Sequence, residues 1–220
     1  MSSFHKLIDT LSNAFSILDF SYIVSGGLAF LLILFDLYKH GVSFMMENLT
    51  ITIVCGVFLS YICGLFAWLI GRFIRRKTFR IMYKQTVEDT FQSVYNDTIA
   101  SLTKIDNPME MPMTYAPSLS YEYMWIGLEK KEETGSRVNY IHRFWVMQAV
   151  FEGQITVLIL AIGILWHLKP NNANCGLLCC MVLLSFLFFG LILLCCNEAK
   201  RCAETQIREV ILSYYQYVVK

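Results

Sequence analysis

Residues 49–71 read LTITIVCGVFLSYICGLFAWLIG, and residues 72–80, directly after them, read RFIRRKTFR. The first stretch carries no charge over 23 residues, and a helix needs roughly 20 apolar residues to cross about 30 Å of hydrocarbon. The second stretch holds Arg72, Arg75, Arg76, Lys77 and Arg80. An uncharged run of spanning length that ends on a basic cluster reads as a transmembrane helix with its flank on the cytosolic side.

Three other blocks repeat the pattern. Residues 20–35 and 153–168 are each free of charge, and the latter block lengthens to 144–168 if Glu152 is admitted as one internal charge. Residues 170–197 form the longest uncharged block. Trp145 and Trp166 bracket the third block. Their separation of 21 residues is about 31 Å along a helix, and tryptophan favours the two membrane interfaces, so both are read as interface anchors of one complete span. Tyr22 and Tyr38 bracket the first block in the same way.

Composition agrees. The chain has 220 residues, of which 56% are hydrophobic and only 16% charged, whereas soluble domains carry about 25% charged residues. A disordered chain is excluded, and a soluble single-core enzyme is not expected. The predicted class is all-α: a polytopic four-helix transmembrane protein with helical cytosolic extensions. The segments are 1–19, an amphipathic N-terminal helix; 20–71, spans one and two; 72–143, a cytosolic insert; 144–196, spans three and four; and 197–220, a cytosolic amphipathic helix. With both termini cytoplasmic, 16 of the 18 Lys and Arg residues fall on the inner side, the bias that orients membrane proteins. The expected location is a bacterial inner membrane. The net charge of +1 conceals this asymmetry.

Outside the spans, apolar residues recur at helical spacing. Phe4, Leu7, Leu11, Phe15 and Leu18 form one stripe, suited to the membrane interface or to the protein's own cytosolic part. Tyr83, Val87, Phe91, Val94, Thr98 and Leu102 form another, which predicts that the second span's helix runs on until Asp106-Asn107-Pro108. A loop with Met109, Met111 and Met113 follows, then a short helix near 121–131, a polar break at 132–136, and a helix from Val138 into the third span. Ile207, Val210, Ile211, Tyr214 and Val218 continue the fourth span as an amphipathic helix. An extramembrane layer this thin suits a homo-oligomer, or a soluble cytosolic protein partner that completes its burial.

Signals for chemistry are sparse. No phosphate-binding glycine loop or nucleophile elbow occurs, the chain is not read as an enzyme, and no cofactor is expected. His5, His40, His142 and His167 are distributed on both sides of the bilayer in this topology, so no metal site is expected. The cluster Arg75, Arg76, Lys77 and Arg80 is explained by topology and anionic lipid, and direct nucleic-acid binding is not expected. Cysteine pairs at 179–180 and 195–196 have the wrong spacing for zinc and read as packing residues, with acylation of Cys196 or Cys202 as an alternative. Glu152 is the sharpest feature: by the tryptophan spacing it lies about 10 Å inside the interface, where an ionisable group is costly and commonly serves a pathway or an ion pair. Arg72 is its candidate partner; the alternative is an interfacial Glu152 ahead of a span that begins at Gly153. Gly56, Ser60 and Gly64, continuing toward Ala67 and Gly71, make a small-residue packing seam within or between protomers.

Size, four-span topology, the cytosolic insert and the character of Ser21-Tyr22-Ile23-Val24-Ser25-Gly26 and Tyr140-Ile141-His142-Arg143-Phe144-Trp145 together resemble the membrane subunit of the bacterial Kiwa anti-phage defence system. The resemblance implies an inner-membrane oligomer that senses a phage-induced disturbance and holds a soluble partner on its inner face. It carries over no catalytic residue. The competing expectations are a pore or ion-conducting effector gated from the cytosol, for which Glu152 is the support, and, further off, a membrane enzyme using a span thiol.

Overall fold

The computed structural model describes residues 17–41, 49–105, 116–170 and 174–219. Of these, 93% are helical and none is in a strand. Six α-helices follow in order: α1 (Ile17–Lys39), α2 (Leu49–Met82), α3 (Val87–Ile105), α4 (Pro117–Glu129), α5 (Gly135–His167) and α6 (Cys175–Tyr214). A 3₁₀ turn, Glu132–Thr134, joins α4 to α5, and a π turn, Tyr215–Val219, ends α6. Four helices, α1, α2, α5 and α6, are long and apolar enough to cross a membrane. The amphipathic stretch at the N-terminus and Met109, Met111 and Met113 lie outside the described residues.

Helix boundaries follow local chemistry. His40 N–H bonds back to the Asp36 and Leu37 carbonyls, and Gly41 at φ +83 ends α1, the left-handed stop that glycine adopts without a Cβ penalty. The Asn174 side-chain oxygen accepts from Leu177 N–H at 2.9 Å and caps α6. One prediction is corrected here: the helix of the second span does not run on through Leu102. It ends at Met82, Lys84 takes φ +50, and α3 starts afresh at Val87. The cause is a capping box. Thr86 N–H donates to Asp89 Oδ2 at 2.8 Å, and Asp89 N–H donates to Thr86 Oγ1 at 3.1 Å, so two otherwise orphaned donors are satisfied by starting a helix there.

The described residues divide into two units. The first contains the residues up to Arg75 and Ala149–Ala199. It holds α1, most of α2, and the parts of α5 and α6 with the longest apolar runs. Much of its apolar surface faces outward: Phe186 is 70% exposed, and Leu183 and Phe58 are 63% exposed. In water this would be strongly unfavourable, whereas hydrocarbon is its natural surrounding. Inside, beside an apolar cluster of Ile155, Ile192 and Cys196, the unit buries small and polar residues: Ser21, Ser25, Ala29, Ser60, Ala67 and Glu152.

The second unit contains Arg76–Gln148 and the residues from Lys200 onward. It has a conventional core of Val94, Tyr95, Ile99 and Leu102 from α3, Met124 and Leu128 from α4, Ile141 from α5, and Ile207, Val210, Ile211 and Tyr214 from α6. Gly127 lets α4 come close, since a Cβ there would sit 2.8 Å from the Tyr214 ring. Arg137 reaches Glu209 Oε2 at 2.6 Å and Ser213 Oγ at 3.1 Å, pinning α5 to α6. The buried Thr134 hydroxyl meets the carbonyls of Leu128 and Lys131 and closes the α4–α5 turn.

Candidate functional site

The seam on α2 is built from one stripe. Ser60, Gly64, Ala67, Gly71 and Arg75 are all buried and recur at steps of four, three, four and four residues, so they share one face of the helix. The absence of side-chain bulk lets two neighbours approach to backbone contact. A Cβ on Gly64 would lie 1.9 Å from the Tyr22 carbonyl oxygen, and one on Gly26 would lie 1.7 Å from that of Ser60; these contacts join α1 to α2. A Cβ on Gly71 would lie 1.6 Å from the Glu152 carbonyl oxygen, which joins α2 to α5. Ser25 and Gly153 close the third side, where a Cβ on Gly153 would come within 2.5 Å of Ser25 Oγ. Hydrogen bonds from Thr156 Oγ1 to the Ala67 carbonyl at 2.6 Å and from Ser25 Oγ to the Val150 carbonyl at 3.4 Å run across the same contacts. Close backbone approach with hydroxyls bonded across helices is how apolar spans associate where no hydrophobic force acts between them. The seam is therefore within the protomer for Ser60, Gly64 and Gly71. Gly56, expected to share it, meets nothing within 4 Å.

One turn beyond Gly71 the stripe ends on Arg75, and its guanidinium lies over the Glu152 carboxylate. Arg75 Nε and Nη2 each lie 2.7 Å from Glu152 Oε1. The two side chains are only 4% and 1% exposed. Glu152 is thus a buried half of an ion pair. Its partner is corrected from Arg72 to Arg75. Helical phase explains the difference: Arg75 is four residues from Gly71 and shares its face, while Arg72 is turned about 100° away and places its guanidinium 5.2 Å over the Trp68 ring. Charge-assisted bonds of this length are strong, and pairing is the condition under which such charges are tolerated away from water. Among the described residues no buried side-chain nitrogen or oxygen lacks a hydrogen-bond partner.

No family model, curated protein or solved structure matches the chain.

The rest of the basic cluster behaves differently from Arg75. Arg76, Lys77 and Arg80 are exposed, as a solvated or headgroup-facing flank would be. Of the two tryptophans expected as anchors, Trp166 donates from Nε1 to Ser185 Oγ at 3.0 Å. Trp145 packs against Trp125 of α4, with ring centroids 5.4 Å apart.

Two further features stand out by geometry alone. In the second unit an open groove of about 810 Å³ is lined by Phe91, Tyr121, Trp125, Ile126 and Trp145, together with Glu88 and Glu122. Gln206 donates to the Tyr121 hydroxyl at 3.0 Å behind it; burial, opposed in part by this bond, pushes the Tyr121 phenol above the usual tyrosine range. In the first unit Asp36, His40 and His167 converge. Against the expectation of scattered histidines and no metal site, His40 and His167 meet, because the ends of α1 and α5 are level. No local pattern signals this; only the pairing of the two spans brings the residues together.

Proposed function

We propose that the chain is a non-enzymatic scaffold or sensor subunit of a bacterial inner membrane, homo-oligomeric, with both termini cytoplasmic, whose helical extramembrane unit docks a soluble cytosolic protein. The observation that carries this reading is the aromatic groove. It belongs to a unit with its own core, and it presents Tyr121, Trp125 and Trp145 together, the residue types that dominate protein–protein hot spots. Orientation rests on the distribution of lysine and arginine, which puts the groove-bearing unit on the basic side. The resemblance to the Kiwa membrane subunit supports an anti-phage role for such a complex.

The alternative, a pore or ion-conducting effector, drew its support from Glu152. That carboxylate is paired with Arg75 beside a close backbone contact, which supports a part in helix association.

The test is co-expression of the tagged chain with the products of the genes beside its own. The scaffold reading expects one of these soluble proteins to co-purify with the membranes, the Trp125→Ala variant to release it, and the membrane potential to stay unchanged when the chain is expressed alone. Depolarisation by the chain alone, or co-purification indifferent to Trp125→Ala and Tyr121→Ala, would overturn it.

A further inference from the structure

Asp36 and His40 are one helical turn apart at the end of α1, and His167 is the last residue of α5. His167 Nδ1 lies 3.1 Å from Asp36 Oδ1. The His40 and His167 rings stack, with centroids 5.0 Å apart and planes at 19°. His40 Nδ1 is held 2.8 Å from the Asp36 backbone oxygen. One ligating atom from each of the three side chains falls within 4.8 Å of the other two.

These distances can be compared with what a metal requires. Ligand atoms about 2.0–2.1 Å from a tetrahedral zinc ion are about 3.3 Å from one another. The Asp36–His167 pair already has nearly that separation. The wider gaps to His40 close by rotation of imidazoles whose side chains are 51% and 58% exposed. Two imidazole nitrogens and one carboxylate are a borderline-soft set suited to zinc and its transition-metal neighbours, whereas magnesium and calcium favour all-oxygen sites. The surrounding field helps: α1 and α5 both bring their C-terminal ends here, and the unsatisfied carbonyls of a helix C-terminus carry partial negative charge.

We propose that Asp36, His40 and His167 form a binding site for a divalent transition-metal cation, which cross-links the ends of α1 and α5 and keeps one coordination position open to solvent.

The experiment uses the full chain in detergent micelles, with any histidine tag removed and the protein stripped by chelator, titrated with zinc chloride by calorimetry and with cobalt chloride by absorption spectroscopy. The expected result is one zinc per chain, affinity lowered at least about 100-fold in the His40→Ala/His167→Ala double variant, and a tetrahedral cobalt spectrum without a thiolate charge-transfer band. Replacement of Cys175, Cys179 and Cys180 by serine leaves binding intact. Where the double variant fails to fold, His167→Gln, which can still bond to Asp36, serves in its place and loses the same affinity. Absence of stoichiometric zinc, binding unchanged in the histidine variants, or a cobalt spectrum dominated by thiolate would overturn the site and leave a hydrogen-bonded Asp–His cluster only.

Discussion

Gly71 and Glu152 meet backbone to backbone: the space a methyl group would need on Gly71 is occupied by the Glu152 carbonyl, 1.6 Å from the ideal Cβ position. This contact sets the phase of α2 against α5 and brings Arg75, one turn further on, over the Glu152 side chain. The tight spacing and the buried charge pair are therefore one arrangement, and each is open to mutation.

Gly71→Ala forces α2 and α5 apart, because the obstacle is backbone and cannot rotate away. A loss of about 3 kcal/mol, the upper part of the usual range for overpacking, is expected, with Gly64→Ala behaving alike. Gly56→Ala, with open space around it, is expected to be neutral. Thermal unfolding in micelles monitored by circular dichroism checks all three, and equal effects at positions 56 and 71 would contradict the seam.

Breaking the buried pair from either side leaves an uncompensated charge or a stranded polar group. Glu152→Leu and Arg75→Met are each expected to cost about 3–5 kcal/mol, while the double variant loses much less than the sum of the two. Arg72→Met, which removes only a stacking contact with Trp68, is expected to cost about 1 kcal/mol or less. A double-mutant cycle on unfolding in denaturing detergent measures the coupling; additive losses at 75 and 152 would show that the pair contributes no coupling.

Thr86→Ala removes one side of the capping box and is expected to destabilise the second unit by about 1 kcal/mol. The same box predicts an acid response. The bonds from Thr86 N–H and then the Thr86 hydroxyl hold the Asp89 carboxyl below the usual carboxylate range. Its contribution to stability is present above the ordinary aspartate value, near 3.9, and fades as pH falls through the lower folded value. In Asp89→Asn the carboxylate's share of that acid-limb slope disappears, a change read from melting curves across the acid range.

Tyr121 gives the opposite limb. Its phenol is raised by burial, so the unfolded chain ionises it first, near pH 10. The stability it contributes is complete below that pH and is lost as pH rises toward the folded value. Tyr121→Phe is expected to flatten the alkaline decline, while costing about 1 kcal/mol at neutral pH because Gln206 loses its acceptor. A decline of unchanged slope in the variant would assign it to other tyrosines.

Much of this architecture could be read before the fold was seen, and the exceptions have physical causes. Four apolar helices and the continuity of α5 and α6 follow from charge-free length and three-to-four spacing, which are properties of each segment alone. At 83–86 the apolar stripe through Val87 and Phe91 masks a local signal for a helix start, Thr86 followed three residues later by Asp89. The partner of Glu152 is Arg75 and not the expected Arg72, and the small-residue stripe through Ser60, Gly64 and Gly71, continued by four, lands on Arg75. The meeting of His40 with His167, 127 positions apart, depends on which spans adjoin, and helical periodicity holds no information about that.

The seam also sets what length changes this chain can absorb. A single inserted residue between Gly64 and Gly71 would turn everything after it by about 100°. Gly71 could then no longer nest on α5, and the guanidinium would leave Glu152 for the lipid side, so one codon would undo two interactions at once. Substitutions on the outward faces of α2, at Phe58, Phe66 or Leu69, leave that register untouched. Drift on those outward faces is thus permitted in composition and forbidden in count, a constraint that would show itself as fixed spacing of the seam residues across variable ones.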